Sequence, residues 1–329
     1  MRQPIFLLCL LLLIQCIAPS PPSETSTSRL PPAPTDPYFG ITATETPQLL
    51  LPDFISTRFG EYNGTFNADG SEFLYTISIP QFDVLMSTRL QADNTWSPPE
   101  MLPFSGQTAE FDPLFHPDGK GVYYCSRPPY QKGQKRPGSK VWYTQREGDG
   151  WATPVAIPIK GPHEEHYFCS ATQDGTLYFN SAPTGDLFKA TQQDSGYVME
   201  PLGAPIESPR HDADPFIAPD ESYLIFRSYR QGGFGSGDFY ISFKLNGQWT
   251  SPENLGRPIN TKYNEMCPYV TTDGRFFIFA SNRLQETYYA KPPSDVQAIR
   301  KKYDSYDNGQ QNIYYMKADF IKEMKKKYQ

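Results

Sequence analysis

Five short runs along the chain are apolar without alternation: Phe73-Leu74-Tyr75, Val122-Tyr123-Tyr124, Leu177-Tyr178-Phe179, Leu224-Ile225-Phe226 and Phe276-Phe277-Ile278-Phe279. Aromatic and β-branched residues in runs this short predict strands covered on both faces. Each run follows a turn signal: Asn67-Ala68-Asp69-Gly70, His116-Pro117-Asp118-Gly119, Gln173-Asp174-Gly175, Ala218-Pro219-Asp220-Glu221 and Thr272-Asp273-Gly274. Asp-Gly supplies the positive φ of a tight hairpin, so a strand is predicted on either side of each turn. A third strand is predicted at Asp83-Val84-Leu85, Val141-Trp142-Tyr143, Asp186-Leu187-Phe188, Asp238-Phe239-Tyr240-Ile241 and Asn312-Ile313-Tyr314-Tyr315. An outer strand is predicted where a Pro recurs, three times after a Trp: Trp96-Ser97-Pro98, Trp151 to Pro154, Glu200-Pro201 and Trp249 to Pro252.

Four strands recurring about every 50 residues are the signature of propeller blades. The pattern predicts an all-β, five-bladed β-propeller, with blades near 58–107, 108–161, 162–209, 210–262 and 263–317. The last repeat supplies no outer strand of its own. Pro47-Gln48-Leu49-Leu50 looks like Pro252-Glu253-Asn254-Leu255, so residues 46–56 are expected to complete blade five and close the ring. Closure removes the open sheet edges that invite aggregation. A six-bladed ring using residues 284–308 is the alternative, although the charged stretch Arg300 to Asp307 reads as an inserted loop. The chain ends in a short amphipathic helix pattern within 318–329.

Composition narrows the class. Of 329 residues 15% are aromatic, too many for a disordered chain, and 33 Pro with 24 Gly favour short strands and turns over long helices. A formal charge of -6 leaves no basic face for nucleic acid. The one dense basic run, Lys325-Lys326-Lys327, reads as a solvated helix face. Arg2 followed by the apolar stretch Ile5 to Ile14 has the layout of a secretory signal over 1–15, too short to span a bilayer. Leu13-Ile14-Gln15-Cys16 resembles a lipobox, which implies lipidation at Cys16; the alternative is ordinary cleavage in the Ala18-Pro19-Ser20 region. Residues 16–37, rich in Pro, Ser and Thr, read as a disordered tether, and attachment to membrane is expected through the lipid alone. Beyond the leader, Cys125, Cys169 and Cys267 are too few and too scattered for a disulfide framework.

The Phe-x-Pro-Asp-Gly-like turns, the Tyr-Phe-x-Ser strand, Ser281-Asn282-Arg283 and the Gly232 to Tyr240 segment together resemble the TolB-like, WD40-like propeller repeats of bacterial envelope proteins. The resemblance extends over 38–320. It implies a propeller in the periplasm or at the outer membrane, with a binding role, in a family that also includes enzymes.

In such a ring the innermost strands line a central channel. Eight positions before each turn aspartate stand Glu61, Glu110, His166, Asp212 and Glu265, one ionisable residue per repeat; two positions later come Asn63, Asp112, Phe168, Asp214 and Cys267. Glu61, Glu110, Asp112, His166, Asp212, Asp214 and Glu265 are therefore the channel-face candidates for binding a cation, a cationic peptide or a glycan. The bland alternative is that these acids bond to backbone N–H groups or to an Arg of the next blade, with Arg127, Arg230 and Arg283 available. His163, His166 and His211, with Glu165, Asp212 and Asp214, are candidate ligands for a divalent metal such as zinc or manganese; no other cofactor is called for. Two enzyme readings are open: a glycoside hydrolase using Glu110 with Asp212 or Glu61 with Glu265, or a metal-dependent lyase. No serine-hydrolase elbow, phosphate loop or zincin helix occurs. The leading expectation is a non-catalytic envelope module for a protein or glycan partner.

Overall fold

The computed structural model describes residues 34–79, 82–128, 133–134, 137–181, 185–194, 196–284 and 293–329. The signal peptide, Cys16 and most of the tether lie outside these residues. All described residues fall within one compact unit, Pro31–Gln329.

Five sheets form five blades. Blade one holds Gly60–Phe66, Glu72–Ile79, Phe82–Arg89 and Glu100–Met101. Blade two holds Ala109–Phe115, Gly121–Arg127, Lys140–Glu147 and Val155–Ala156, with Gly150–Trp151 pairing its third strand. Blade three holds His166–Ala171, Leu177–Ser181, Asp186–Gln193 and Gly196–Pro201, to which Ile159–Lys160 adds in parallel at the rim. Blade four holds Asp212–Ile217, Tyr223–Ser228 and Asp238–Leu245, whose outer neighbours are Gln248–Trp249 and Glu253–Asn254. Blade five holds Glu265–Val270, Phe276–Ser281 and Asn312–Lys317, and its fourth strand is Gln48–Leu49 from the start of the chain.

The second strands of blades two, three and five are buried along almost their whole length, as their continuous apolar pattern requires. Their aromatics fill the gaps between blades: Phe239 of blade four lies edge-on to Phe277 and Phe279 of blade five at 5.7 Å. A repeated backbone bond joins neighbours. The N–H groups of His166, Asp212 and Glu265 donate to the carbonyls of Ser139, Gly185 and Gly237, each just ahead of the third strand of the preceding blade. Glu61 donates in the same way to Gln311 of blade five, so the last blade meets the first. The closing strand is anchored by Leu50 and Ile55, both fully buried, each stabilising by about 1.5–3 kcal/mol.

The N-terminal approach does more than the tether reading allowed. Pro34 to Pro37 lie against blade one, where Thr35 bridges Thr95 and Trp96 Nε1 donates to the Asp36 carbonyl at 2.8 Å. Tyr38 then donates its N–H to Gly70 at 2.7 Å, and its ring sits 5.6 Å from Phe276 of blade five. This segment covers the turn-bearing end of blades one and five. Gly70 is required there: its φ is +72°, and a Cβ would stand 2.3 Å from the Tyr38 ring.

The stretch expected as a charged loop contains a helix, Val296–Tyr303. Asp295 caps it by accepting from Ala298 N at 2.8 Å, and Arg300, Lys301 and Lys302 complement the dipole in its last turn. It belongs to the connection 282–311 inside blade five, and no sixth sheet forms among the described residues. The C-terminal helix, Phe320–Lys325, packs Phe320 on Phe277 at 5.2 Å. No described helix is long and apolar enough to cross a membrane.

Candidate functional site: the channel mouth

Strand register sets two ends of the ring. Glu61, Glu110, His166, Asp212 and Glu265 open the inner strands at the end where second strands finish and third strands begin. That end carries the long connections 128–139, 229–237 and 282–311, whereas the opposite end carries the tight Asp-Gly turns. Insertions gathered on one face of a repeat protein mark its working surface.

Just inside that end every inner strand breaks register, between Tyr62 and Thr65, Phe111 and Leu114, Tyr167 and Ser170, Ala213 and Phe216, and Met266 and Tyr269. The residues in the breaks, Asn63, Asp112, Phe168, Asp214 and Cys267, have φ of 49, 55, 47, 53 and 54°. Asn and Asp adopt this region readily; Phe and Cys do so at a cost of roughly 1–2 kcal/mol. Three of the five are followed by Pro (Pro113, Pro215, Pro268), which has no N–H to lose where the ladder is interrupted. A bulge re-aims its side chain. Four of the five residues, Asn63, Asp112, Asp214 and Cys267, are linked to one another.

The contacts cross blades. Asn63 Nδ2 donates to Asp112 Oδ1 at 3.3 Å, and the Cys267 thiol lies 3.9 Å from the same oxygen. Cys267 N donates to Asp214 Oδ2 at 3.1 Å. Arg227, from the second strand of blade four, meets Asp214 with Nε at 3.1 Å and Nη2 at 3.5 Å. Asn180 of blade three accepts from Asp214 N at 3.1 Å. Burial, followed by the nearby charge of Asp214, pushes the Asp112 carboxyl up to about 8, so near neutral pH it is protonated. Burial also raises the Tyr62 hydroxyl well above the ordinary phenol range, with Asp83 and Asp112 adding to it. Burial opposes the charge on Arg227, but Asp214, with Tyr229, Cys267 and Asp112 adding to it, more than offsets this and raises the guanidinium above its ordinary range.

The acids of the first row are bound locally. Glu61 accepts from Thr57 N at 3.1 Å and from the Thr57 hydroxyl. Glu110 accepts from Gly106 N and Thr108 N, both at 2.8 Å, and from Ser105. Asp212 accepts from Ser208 N at 2.8 Å, and Glu265 from Thr261 N at 3.0 Å and Ser281 Oγ at 2.9 Å. Each acid ties down the loop that leads into its own strand. The arginines are also local: Arg230 pairs with Asp212 at 3.1 Å and Arg283 with Glu265 at 3.2 Å, within one blade rather than across two. Both also donate to loop carbonyls, Ile206 and Ile259. Arg127 lies over the rings of Phe111 and Tyr167, bridging blades two and three. Glu61, Glu110, Asp212 and Glu265 therefore each serve as a tie to a loop of their own blade.

His166 occupies the acid position in blade three. Burial lowers it to about 4, and its Nε2 is buried without a partner. His163 rests on Phe188 and His211 on Tyr229. Among the described residues no group of three His, Cys, Asp or Glu side chains stands where it could hold a metal ion, so His163, His166 and His211 do not form a metal site with the carboxylates. Burial holds the thiols of Cys125, Cys169 and Cys267 above their ordinary range, and all three are free.

Sequence reasoning missed Arg227 and Tyr62. Arg227 had a readable signal, since it precedes the serine that ends its strand and stands opposite the short Ala213.

No family model matches the chain, and no curated protein matches it. Solved structures do. A protein described as TolB from Agrobacterium tumefaciens is 15% identical, with 79% of this chain and 90% of that one covered and a TM-score of 0.46. TolB from Acinetobacter baumannii is 15% identical over 61% of this chain and 44% of that one, with a TM-score of 0.40. An α-L-arabinofuranosidase from Lactobacillus brevis is 10% identical over 80% and 91%, with a TM-score of 0.49. The five-bladed ring stands on its own sheet topology.

Proposed function

We propose that this chain is an exported, lipid-anchored propeller of the cell envelope that binds a protein or glycan partner on its loop-bearing face. The observation that carries the reading is the gathering of connections 128–139, 229–237 and 282–311 at the end where Asp112, Asp214 and Cys267 meet, opposite an end partly covered by Tyr38 and Phe39. The leader and the Leu13-Ile14-Gln15-Cys16 sequence support export and anchoring at Cys16. Within the mouth, Asp112 offers a proton at neutral pH, while Asp214 is already paired with Arg227. Such a site recognises hydrogen-bonding groups; a neutral carboxyl beside an ion pair does not by itself supply the acid and base that glycoside hydrolysis needs.

Affinity capture from intact envelopes tests this reading. The native chain should fractionate with membranes and recover a defined partner or glycan, whereas Cys16→Ser should move to the soluble fraction and still recover it. A chain that remains cytoplasmic, or captures nothing under either condition, would exclude the reading.

A further inference from the structure

Four blades close the loop ahead of the inner strand with one device, and blade three lacks it. The carboxylates of Glu61, Glu110, Asp212 and Glu265 accept from the N–H groups of Thr57, Gly106, Ser208 and Thr261, in each case four positions upstream. In blade three the acid position is His166, and four positions upstream stands Pro162, which has no N–H to give. His166 is 4% exposed, its ring lies edge-on to Phe179 at 5.0 Å, and its Nε2 is buried without a partner. The ring fits there as neutral imidazole. A second proton would place an N–H without an acceptor in a dry site.

The surroundings offer that proton no counter-charge among the described residues. Lys140, on the third strand of blade two, acts against the charged ring, as does His163 on the loop itself; only the backbone of His163 favours it. Arg127, over the Tyr167 ring, is positive as well. Of the nearby carboxylates, Glu164 is exposed, Glu165 accepts from the Tyr167 hydroxyl at 3.3 Å, and Asp186 acts on His211 instead.

The loop that His166 closes carries part of the mouth. Ser139 donates its hydroxyl to the His166 carbonyl, and its own carbonyl accepts from His166 N at 3.0 Å. Ser181 Oγ donates to the Glu165 carbonyl at 2.8 Å. Gly138 sits so close to Glu165 that a Cβ would stand 2.0 Å from its Cγ. The end of the connection 128–139 therefore rests on loop 161–165.

We infer that loop 161–165 is an acid-released latch on the loop-bearing face: neutral His166 holds it shut, and protonation of His166 opens it together with residues 137–139. The device does not depend on which partner the face receives. Linkage sets its direction. The open loop takes up the proton at the ordinary imidazole value of 6.5 and the closed loop only at about 4, so closure is complete above 6.5 and weakens as pH falls. From pH 7 to 5 the opening equilibrium should rise roughly twentyfold.

Hydrogen exchange of the full chain, expressed as protection factors to remove the intrinsic effect of pH, reads this opening. Amides of 161–168 should lose about twentyfold in protection across that range, while those of Leu177–Ser181, which report global opening, lose none. His166→Gln should make 161–168 insensitive to the change, and His163→Gln should leave the response in place. Equal protection at both pH values in the native chain overturns the proposal, as does a response that survives His166→Gln or vanishes in His163→Gln. If His166→Gln does not fold, the ring signals of the native chain decide by nuclear magnetic resonance. A His166 ring that stays neutral to below pH 5 while the loop is closed upholds the latch; one that titrates near 6.5 with the loop still protected removes it.

Discussion

At the scale of single residues, the two rows of the inner strands have opposite duties. Asp112 is held protonated up to about pH 8 in the folded chain, against an ordinary value near 3.8. Across that window the folded state binds the extra proton, so stability should fall as pH rises from 4 to 8. Asp112→Asn removes the titrating group while keeping an oxygen for Asn63. It should raise the midpoint of urea unfolding at pH 8 by a few kcal/mol equivalent and change little at pH 4. Denaturation curves at both pH values check it, and a variant equally affected at both would refute the assignment. Glu265 behaves in the other sense. Glu265→Ala leaves Thr261 and Ser281 without their acceptor and the largely buried Arg283 without its partner. The expected loss is about 3–5 kcal/mol, with unchanged affinity for any ligand of the mouth. Were Glu265 a ligand group, binding would suffer first and stability little.

At the scale of elements, the turns, second strands and closing strand were legible because each rests on local chemistry. Asp-Gly dictates positive φ, continuous aromatics dictate double-sided burial, and Gln48–Leu49 has a partner only in blade five. The bulge was not legible as geometry. Sequence spacing treats a strand as regular and so places both rows on the channel face, without showing the extra residue at Asn63, Asp112, Phe168, Asp214 and Cys267 that re-aims the second row. The Pro after three of these residues was the visible trace. The helix Val296–Tyr303 was hidden for a related reason, since its apolar residues do not pack and its charges read as a loop. Closure by the N-terminal strand gives a direct expectation. Deleting residues through Ser56 strips the Asn312–Lys317 edge and the buried Leu50 and Ile55, and should convert one cooperative melt into a broad or aggregating one. Calorimetry with light scattering reads this. Gly70→Ala should lower the melting temperature through the same segment, because the added methyl meets the Tyr38 ring.

At the scale of the whole molecule, the ring is asymmetric end to end, and this asymmetry decides where a partner can sit. One end has short turns, with Tyr38 and Phe39 laid across blades one and five; the other has the long connections, the paired Asp214 and Arg227, and exposed Tyr229. The three described thiols are buried, so a cysteine introduced at the surface of a Cys16→Ser chain can be labelled selectively. Tyr229→Cys places a maleimide polymer at the loop end, and Lys120→Cys places the same polymer beside the turn of blade two. Both side chains are exposed, and a Cys at either position keeps the backbone bonds from Tyr229 N to His211 and from Arg146 N to Lys120, so both labelled chains should melt as the parent does. If the loop face receives the partner, the polymer at 229 abolishes capture from envelopes while the polymer at 120 leaves it intact. The reverse pattern would move the binding surface to the turn end, and with it the physical reason for the long connections would be lost, because loops that insert on one face are retained where they touch something.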